Sequence, residues 1–266
     1  MNAPASATQI EPLVLERREG GVVHLTLNRP SQFNSLSEEM LAALTASLQA
    51  IAGDRAARVV VIGGAGKAFC AGHDLKQMKA NNRLEYYQKL FADCSQLMLL
   101  IQKMPQPVIA RVHGIATAAG CQLVGMCDLA VASTEARFAV SGINVGLFCS
   151  TPAVALSRNV GRKAAFEMLV TGEFIDAATA QARGLINRVV APDQLDAEIG
   201  KLAEAIVAKP ALAIAMGKGL FYRQLEMGIE AAYQLAGQTM ACNMADEVAQ
   251  EGVEAFMQKR KPNWPT

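Results

Sequence analysis

This chain is short of aromatics, of charge of one sign and of patterned cysteines, and each shortage removes a class of function. Aromatic residues make up 5% with a single tryptophan, too few for a platform that stacks single-stranded nucleic acid. Lys plus Arg number 25 against 24 for Asp plus Glu, a net charge of +1, so no basic stripe advertises a nucleic-acid partner. Any anionic ligand is left to a few local groups. The six cysteines, Cys70, Cys94, Cys121, Cys127, Cys149 and Cys242, lack the tight spacing of a disulfide framework and read as reduced, buried thiols. No apolar run approaches the roughly 18 residues of a membrane span. The opening MNAPASATQIEPLVLE has neither a basic nor an apolar targeting region, and with reduced thiols it predicts a cytoplasmic protein.

Common cofactor motifs are missing as well. GGAGK at 63–67 lacks the first glycine of a phosphate loop, and Ala68 stands where Ser or Thr would hold magnesium. No GxGxxG follows the early strands, and there is no GxSxG nucleophile elbow. Cys70 and His73 have no second ligand pair beside them, so no metal site is expected.

What is present is a globular composition, 52% hydrophobic and 18% charged. Residues 22–27 (VVHLTL) and 58–62 (RVVVI) read as strands, as do 107–112, 129–132 and 186–190. Leu41, Leu44, Leu48 and Ile51 recur at helical spacing behind a capping box at 35–38. A helix is predicted over 84–103 and a short one over 121–126. The alternation predicts an α/β core with crossover units. Alanine-rich amphipathic helices follow near 193–207, 210–225, 228–241 and 244–258. The division expected is an α/β core over 1–200 and a helical oligomerisation segment over 201–266.

Two stretches suit close approach of a ligand to bare backbone. KAFCAGHDLK at 67–76 follows a buried strand, and HGIATAAGCQLVGMCD at 113–128 places small residues before a short helix. A helix start offers unpaired N–H donors and a favourable dipole, and two such loops could aim two N–H groups at one developing oxyanion. Small residues serve tight helix–strand packing equally well. His24 lies inside a strand and reads as a satisfied sheet histidine. His113, at a strand end, is harder to dismiss.

LNRP with Asn34 and Leu36, KAFCAGHDLK, HGIATAAGCQLVGMCDLAVAS and GRKAAFEMLVTGEFIDAATAQARGLINRVV together resemble the crotonase (enoyl-CoA hydratase/isomerase) superfamily. The match runs from about Leu13 to the terminal RKPNW. HGIATAAGCQLV followed by GINVGLFCSTPAVAL is most similar to the group called enoyl-CoA hydratase domain-containing protein 3. The resemblance implies a spiral of repeated ββα turns with a helical C-terminal trimerisation region, assembled as a homo-trimer or dimer of trimers. It implies an acyl-CoA thioester as ligand, with coenzyme A carried by the substrate and no separate cofactor. It assigns the thioester oxygen to the backbone N–H groups of His73 and Ala119, the latter in place of the usual glycine. It places the adenine pocket around Ala71, Asp74 and Leu75, and makes Lys76, Arg29 and Lys218 of a neighbouring subunit candidates for the CoA phosphates.

The chain departs from this family at the reacting groups. The two glutamates that activate water and move protons fall on Gln122 and Gly142. Glutamine orients water without exchanging a proton, and glycine supplies nothing. A third position, an aspartate in some relatives, is Cys149, a nucleophile or proton shuttle if its pKa is lowered and otherwise a small buried residue. Ser141, Asn144 and Ser150 could place a water. The leading expectation is slow hydration or isomerisation of 2-enoyl-CoA. The alternatives are hydrolysis or acyl transfer, and acyl-CoA binding without turnover.

Overall fold

A computed structural model describes residues 11–264. Strand β1 (Val14–Glu19) pairs antiparallel with β2 (Val22–Leu27), and from β3 onward the chain repeats one unit. A strand enters a large sheet, a short strand enters a second sheet, and helices return the chain. β3 (Val59–Gly64) and β4 (Ala68–Cys70) form the first such pair, followed by α2 (Leu75–Ala80) and α3 (Leu84–Lys103). β5 (Val108–Val112) and β6 (Ile115–Thr117) form the second, followed by α4 (Ala119–Met126). β7 (Leu129–Ser133) and β8 (Arg137–Ala139) form the third, followed by a 3-10 turn over Ser141–Val145, α5 (Ser150–Asn159) and α6 (Arg162–Thr171). The large sheet has the order β1-β2-β3-β5-β7-β10 and the small one β4-β6-β8-β9, with β9 at Ile175–Asp176, β10 at Arg188–Val190 and α7 (Ala177–Ala182) between them. This repetition is the spiral of ββα turns that the resemblance implies.

RVVVI is continuously apolar because β3 is covered on both faces. Val60 and Ile62 point into the main core with Leu44 and Leu48 of α1 (Glu38–Ala52) and Leu97 and Ile101 of α3. Val59 and Val61 point the other way, onto Leu195, Ile199 and Ala203 of α8 (Leu195–Val207). The cap of α1 is Ser37, whose Oγ accepts the Met40 N–H at 3.3 Å, two residues beyond the serine expected. The domain boundary also needs correction: α8 runs through residue 200 and packs on the sheet, so the division falls inside a helix. Beyond it lie α9 (Ala211–Gln224), α10 (Ile229–Met244) and α11 (Glu247–Met257). No helix among the described residues is long and apolar enough to cross a membrane.

Candidate active site

The small sheet positions the site. β4 pairs parallel with β6, Cys70 opposite Ala116, and β6 pairs parallel with β8, Thr117 opposite Ala139. Parallel neighbours end on one side, so the loops beginning at residues 71, 118 and 140 emerge together, where open parallel sheets place ligands. The first two loops touch at Gly72, which has φ +91°. A Cβ there would sit 2.9 Å from the Ala118 Cβ and 3.3 Å from the Ala119 nitrogen. Only glycine lets the backbone before His73 lie this close to the start of α4. Ala118 itself holds φ 50° and ψ −120°, a conformation costing about 1–3 kcal/mol that turns the Ala119 N–H out of the strand.

The three loops enclose a cavity of about 300 Å³. Ala71, His73, Leu75 and Ala119 line it, as do Gly142 and Cys149 from the third loop. Neither the His73 N–H nor the Ala119 N–H has an acceptor among the described residues. For Ala119 the reason is positional, since the first N–H groups of a helix have no intrahelical partner. The rest of the wall is apolar (Met78, Phe91, Val145, Leu147, Phe148, Pro152) or hydroxylic (Ser141, Ser150, Thr151). The Ser141 hydroxyl is hydrogen-bonded to Thr117 Oγ1 at 2.8 Å. No Asp, Glu, Lys or Arg lines this cavity.

The titratable groups in the wall are held neutral. Burial pushes the His73 imidazole down to about 4. Its ring meets Phe91 edge-on at 5.4 Å, and its Nε2 has no partner. Cys149 is the N-cap of α5, and its Sγ accepts the Gly142 N–H at 3.3 Å. Burial raises this thiol and that hydrogen bond only partly offsets it. Of the two alternatives for Cys149, an activated nucleophile requires the opposite shift, so the residue faces the cavity as a protonated, largely buried thiol.

The two replaced glutamate positions differ. Gln122 lies one turn into α4 at 5% exposure, outside the cavity wall, with its Oε1 buried and unpartnered. Gly142 is in the wall, but a Cβ there would meet the Leu147 carbonyl oxygen at 2.5 Å and Cys149 Sγ at 2.7 Å. The third loop fills the space a side chain at 142 would need. Asn144 donates to the Gly172 carbonyl at 3.4 Å and is not in the wall.

The residues expected around CoA separate into two places. Ala71 and Leu75 line the cavity, whereas Arg29, Asp74 and Lys76 share a shallow neighbouring groove of about 550 Å³. Asp74 caps α2, accepting the Lys76 and Gln77 N–H groups at 3.0 and 3.2 Å, and binds Arg29 Nη1 at 3.0 Å. Burial alone would raise its carboxyl, but these donors hold it below the ordinary value. Lys218 requires correction as a phosphate ligand. It is 9% exposed, and its Nζ donates to the carbonyls of Ile101 and Gln106 and to Asp128, which uses all three N–H bonds. His113 Nε2 contacts the Gly66 carbonyl at 2.9 Å, and His24 faces a separate groove beside α8. Sequence reasoning missed Met78, Phe91, Leu147, Phe148 and Thr151 as wall residues; the Gly146 turn in GINVGLFCSTP was the available signal.

The family model described as Enoyl-CoA hydratase/isomerase matches residues 17–266. "Enoyl-CoA hydratase domain-containing protein 3, mitochondrial" of Mus musculus is 45% identical over 98% of this chain and 87% of its own length. A crystal structure of enoyl-CoA hydratase from Mycobacterium smegmatis is 67% identical with a TM-score of 0.95, covering 96% of this chain and 100% of that one. The crystal structure of human enoyl Coenzyme A hydratase domain-containing protein 3 is 43% identical with a TM-score of 0.92, covering 95% and 100%. These findings overturn the cytoplasmic expectation, since the mouse relative is named a mitochondrial protein. Free thiols mark a reducing environment, and that property does not single out one compartment.

Proposed function

This chain belongs to the enoyl-CoA hydratase/isomerase family, and from that premise we propose that it binds an acyl-CoA thioester and stabilises its enolate on the His73 and Ala119 backbone N–H groups. The observation that carries the reading is the pair of acceptor-free N–H groups, from two loops in contact, at one largely apolar cavity. A thioester oxygen gains negative charge as an enolate forms, so fixed donors stabilise that state more than the ground state. Each donor of this kind is worth about 3–4 kcal/mol. The acyl group fits against Met78, Phe91 and Leu147. Coenzyme A arrives with the substrate, its phosphates near Lys76 and Arg29, and no separate cofactor takes part.

Hydration or isomerisation of 2-enoyl-CoA is slow in this reading. A positioned acid–base group contributes about 10²–10⁴-fold, and Gln122 and Gly142 provide none. Their identity also favours a second reading, acyl-CoA binding without turnover. The protein works as a homo-trimer or a dimer of trimers. Exposed apolar side chains on the C-terminal helices, among them Ile229, Tyr233, Met240 and Phe256, support an assembly that covers them.

Mass spectrometry of the protein with short and medium 2-enoyl-CoAs tests the reading, alongside calorimetric binding of the saturated thioesters. Slow gain of one water, or a shifted double bond, with CoA retained is the expected result. Binding without any change selects the second reading. Rapid release of free CoA, or no binding at all, overturns both.

A further inference from the structure

Asp128 stands just beyond the end of α4, and its carboxylate joins that helix to β5 and α9. It accepts the Val108 N–H at 2.6 Å, Lys218 Nζ at 2.7 Å and the Tyr222 hydroxyl at 2.8 Å. Lys218 and Tyr222 both belong to α9. Lys218 also donates at 2.8 Å to the Ile101 carbonyl, in the last turn of α3, and at 2.8 Å to that of Gln106. Among the described residues of α9, Lys218 alone is buried, so an ion pair seats this helix where apolar side chains usually would. A buried ion pair adds little net stability once desolvation is counted, and its best-attested use is to fix register.

The other end of α4 gives that register a use. Residues Ala119–Met126 form a rigid rod of about 12 Å, with the Ala119 N–H at the cavity. A Cβ on Gly120 would meet the Cys70 carbonyl oxygen at 2.0 Å, so close packing sets how near α4 lies to β4. Such packing carries no hydrogen bond that fixes the rod along its axis. Ala118, just before the rod, holds φ 50°, and a strained residue persists only where its surroundings over-determine it. The polar ties that resist its relaxation lie at the far end. There Asn159 Nδ2 donates to the Gly125 carbonyl at 2.8 Å, and Asp128 is locked by α9.

We propose that Asp128 is a positioning residue: held by Lys218 and Tyr222, it keeps α4 in register and so fixes the aim of the Ala119 N–H at a bound thioester oxygen. The inference rests on the thioester reading above. It makes the seating of α9 a determinant of how strongly the site polarises that carbonyl. Hydrogen bonds weaken steeply as the donor turns away, so a small movement of α4 is felt at the oxygen while the fold stays intact.

Tyr222→Phe removes one hydrogen bond from Asp128 and keeps both the ion pair and the ring. Ile199→Val is its control. Ile199 is buried in α8 against Val59 and Val61, on the face of the large sheet away from α4, and its truncation costs comparable stability. Butyryl-CoA carrying a ¹³C carbonyl is bound to the full chain and to each variant, with infrared difference spectra and calorimetry on all three. In the unaltered protein the carbonyl band lies below its solution frequency. Tyr222→Phe should move the band part of the way back and weaken binding about three- to tenfold, whereas Ile199→Val should change neither. A band equally low in all three proteins overturns the positioning role and leaves the thioester reading standing. Equal displacement in both variants overturns it too, since Asp128 would then serve only general stability. A band not lowered in the unaltered protein removes the thioester reading and this inference together.

Discussion

Two buried polar regions of this protein use their hydrogen bonds in opposite ways. Around Asp128 the partners are all found. Its carboxylate accepts the Val108 N–H at 2.6 Å, Lys218 Nζ at 2.7 Å and the Tyr222 hydroxyl at 2.8 Å, which ties α9 to the strands of the large sheet. At the cavity the His73 and Ala119 N–H groups and His73 Nε2 lack partners, and Gln122 Oε1, buried in α4 outside the cavity wall, lacks one too. A buried polar group left unpaired costs about 1–3 kcal/mol. Satisfied groups close the fold, and unsatisfied groups at a cavity are the ones a ligand can complete.

Breaking the satisfied region should have the largest effect. Lys218→Met leaves the Asp128 carboxylate buried without its cation and is expected to cost about 3–5 kcal/mol in urea unfolding. A loss below about 1 kcal/mol would show that the cluster does not anchor α9. Acid should act next, through the cavity. His73 stays neutral down to about pH 4 in the fold, whereas an ordinary histidine protonates near 6.5. Between these values the unfolded chain takes up a proton that the native state refuses, so stability is full above pH 6.5 and falls as pH drops towards 4. The contribution is about 3 kcal/mol. Comparing urea midpoints of the protein and His73→Gln from pH 7 to 4 checks this, and parallel curves would contradict it. The smallest effect is a gain: Gln122→Met removes an unpaired buried oxygen and should stabilise the ligand-free protein by about 1 kcal/mol in thermal unfolding. Destabilisation would mean that Gln122 has a structural partner.

Legibility in the sequence followed the length of each element. The strands of the large sheet announced themselves as apolar runs, and α3 as a 20-residue amphipathic helix. β4, β6 and β8 have three residues each, too few for any periodicity, so the sheet that positions the site was not read from pattern. Its loops were read, because Gly72 and the small residues before α4 signal close backbone approach. Lys218 was misplaced because depth has no local signature: its partners Asp128 and Ile101 lie 90 and 117 residues away in the chain. In the loop from 143 to 148, Leu147 and Phe148 have no sequence signal beyond that of ordinary core residues, yet they form one wall of the cavity.

The central claim is that two free N–H groups hold a thioester oxygen. Infrared difference spectroscopy of butyryl-CoA carrying a ¹³C carbonyl, bound to the protein, tests it most directly. Two donors on that oxygen weaken the C=O bond, so the band should move to lower frequency than in water. A bound thioester whose carbonyl band stays at or above its solution frequency would contradict the account.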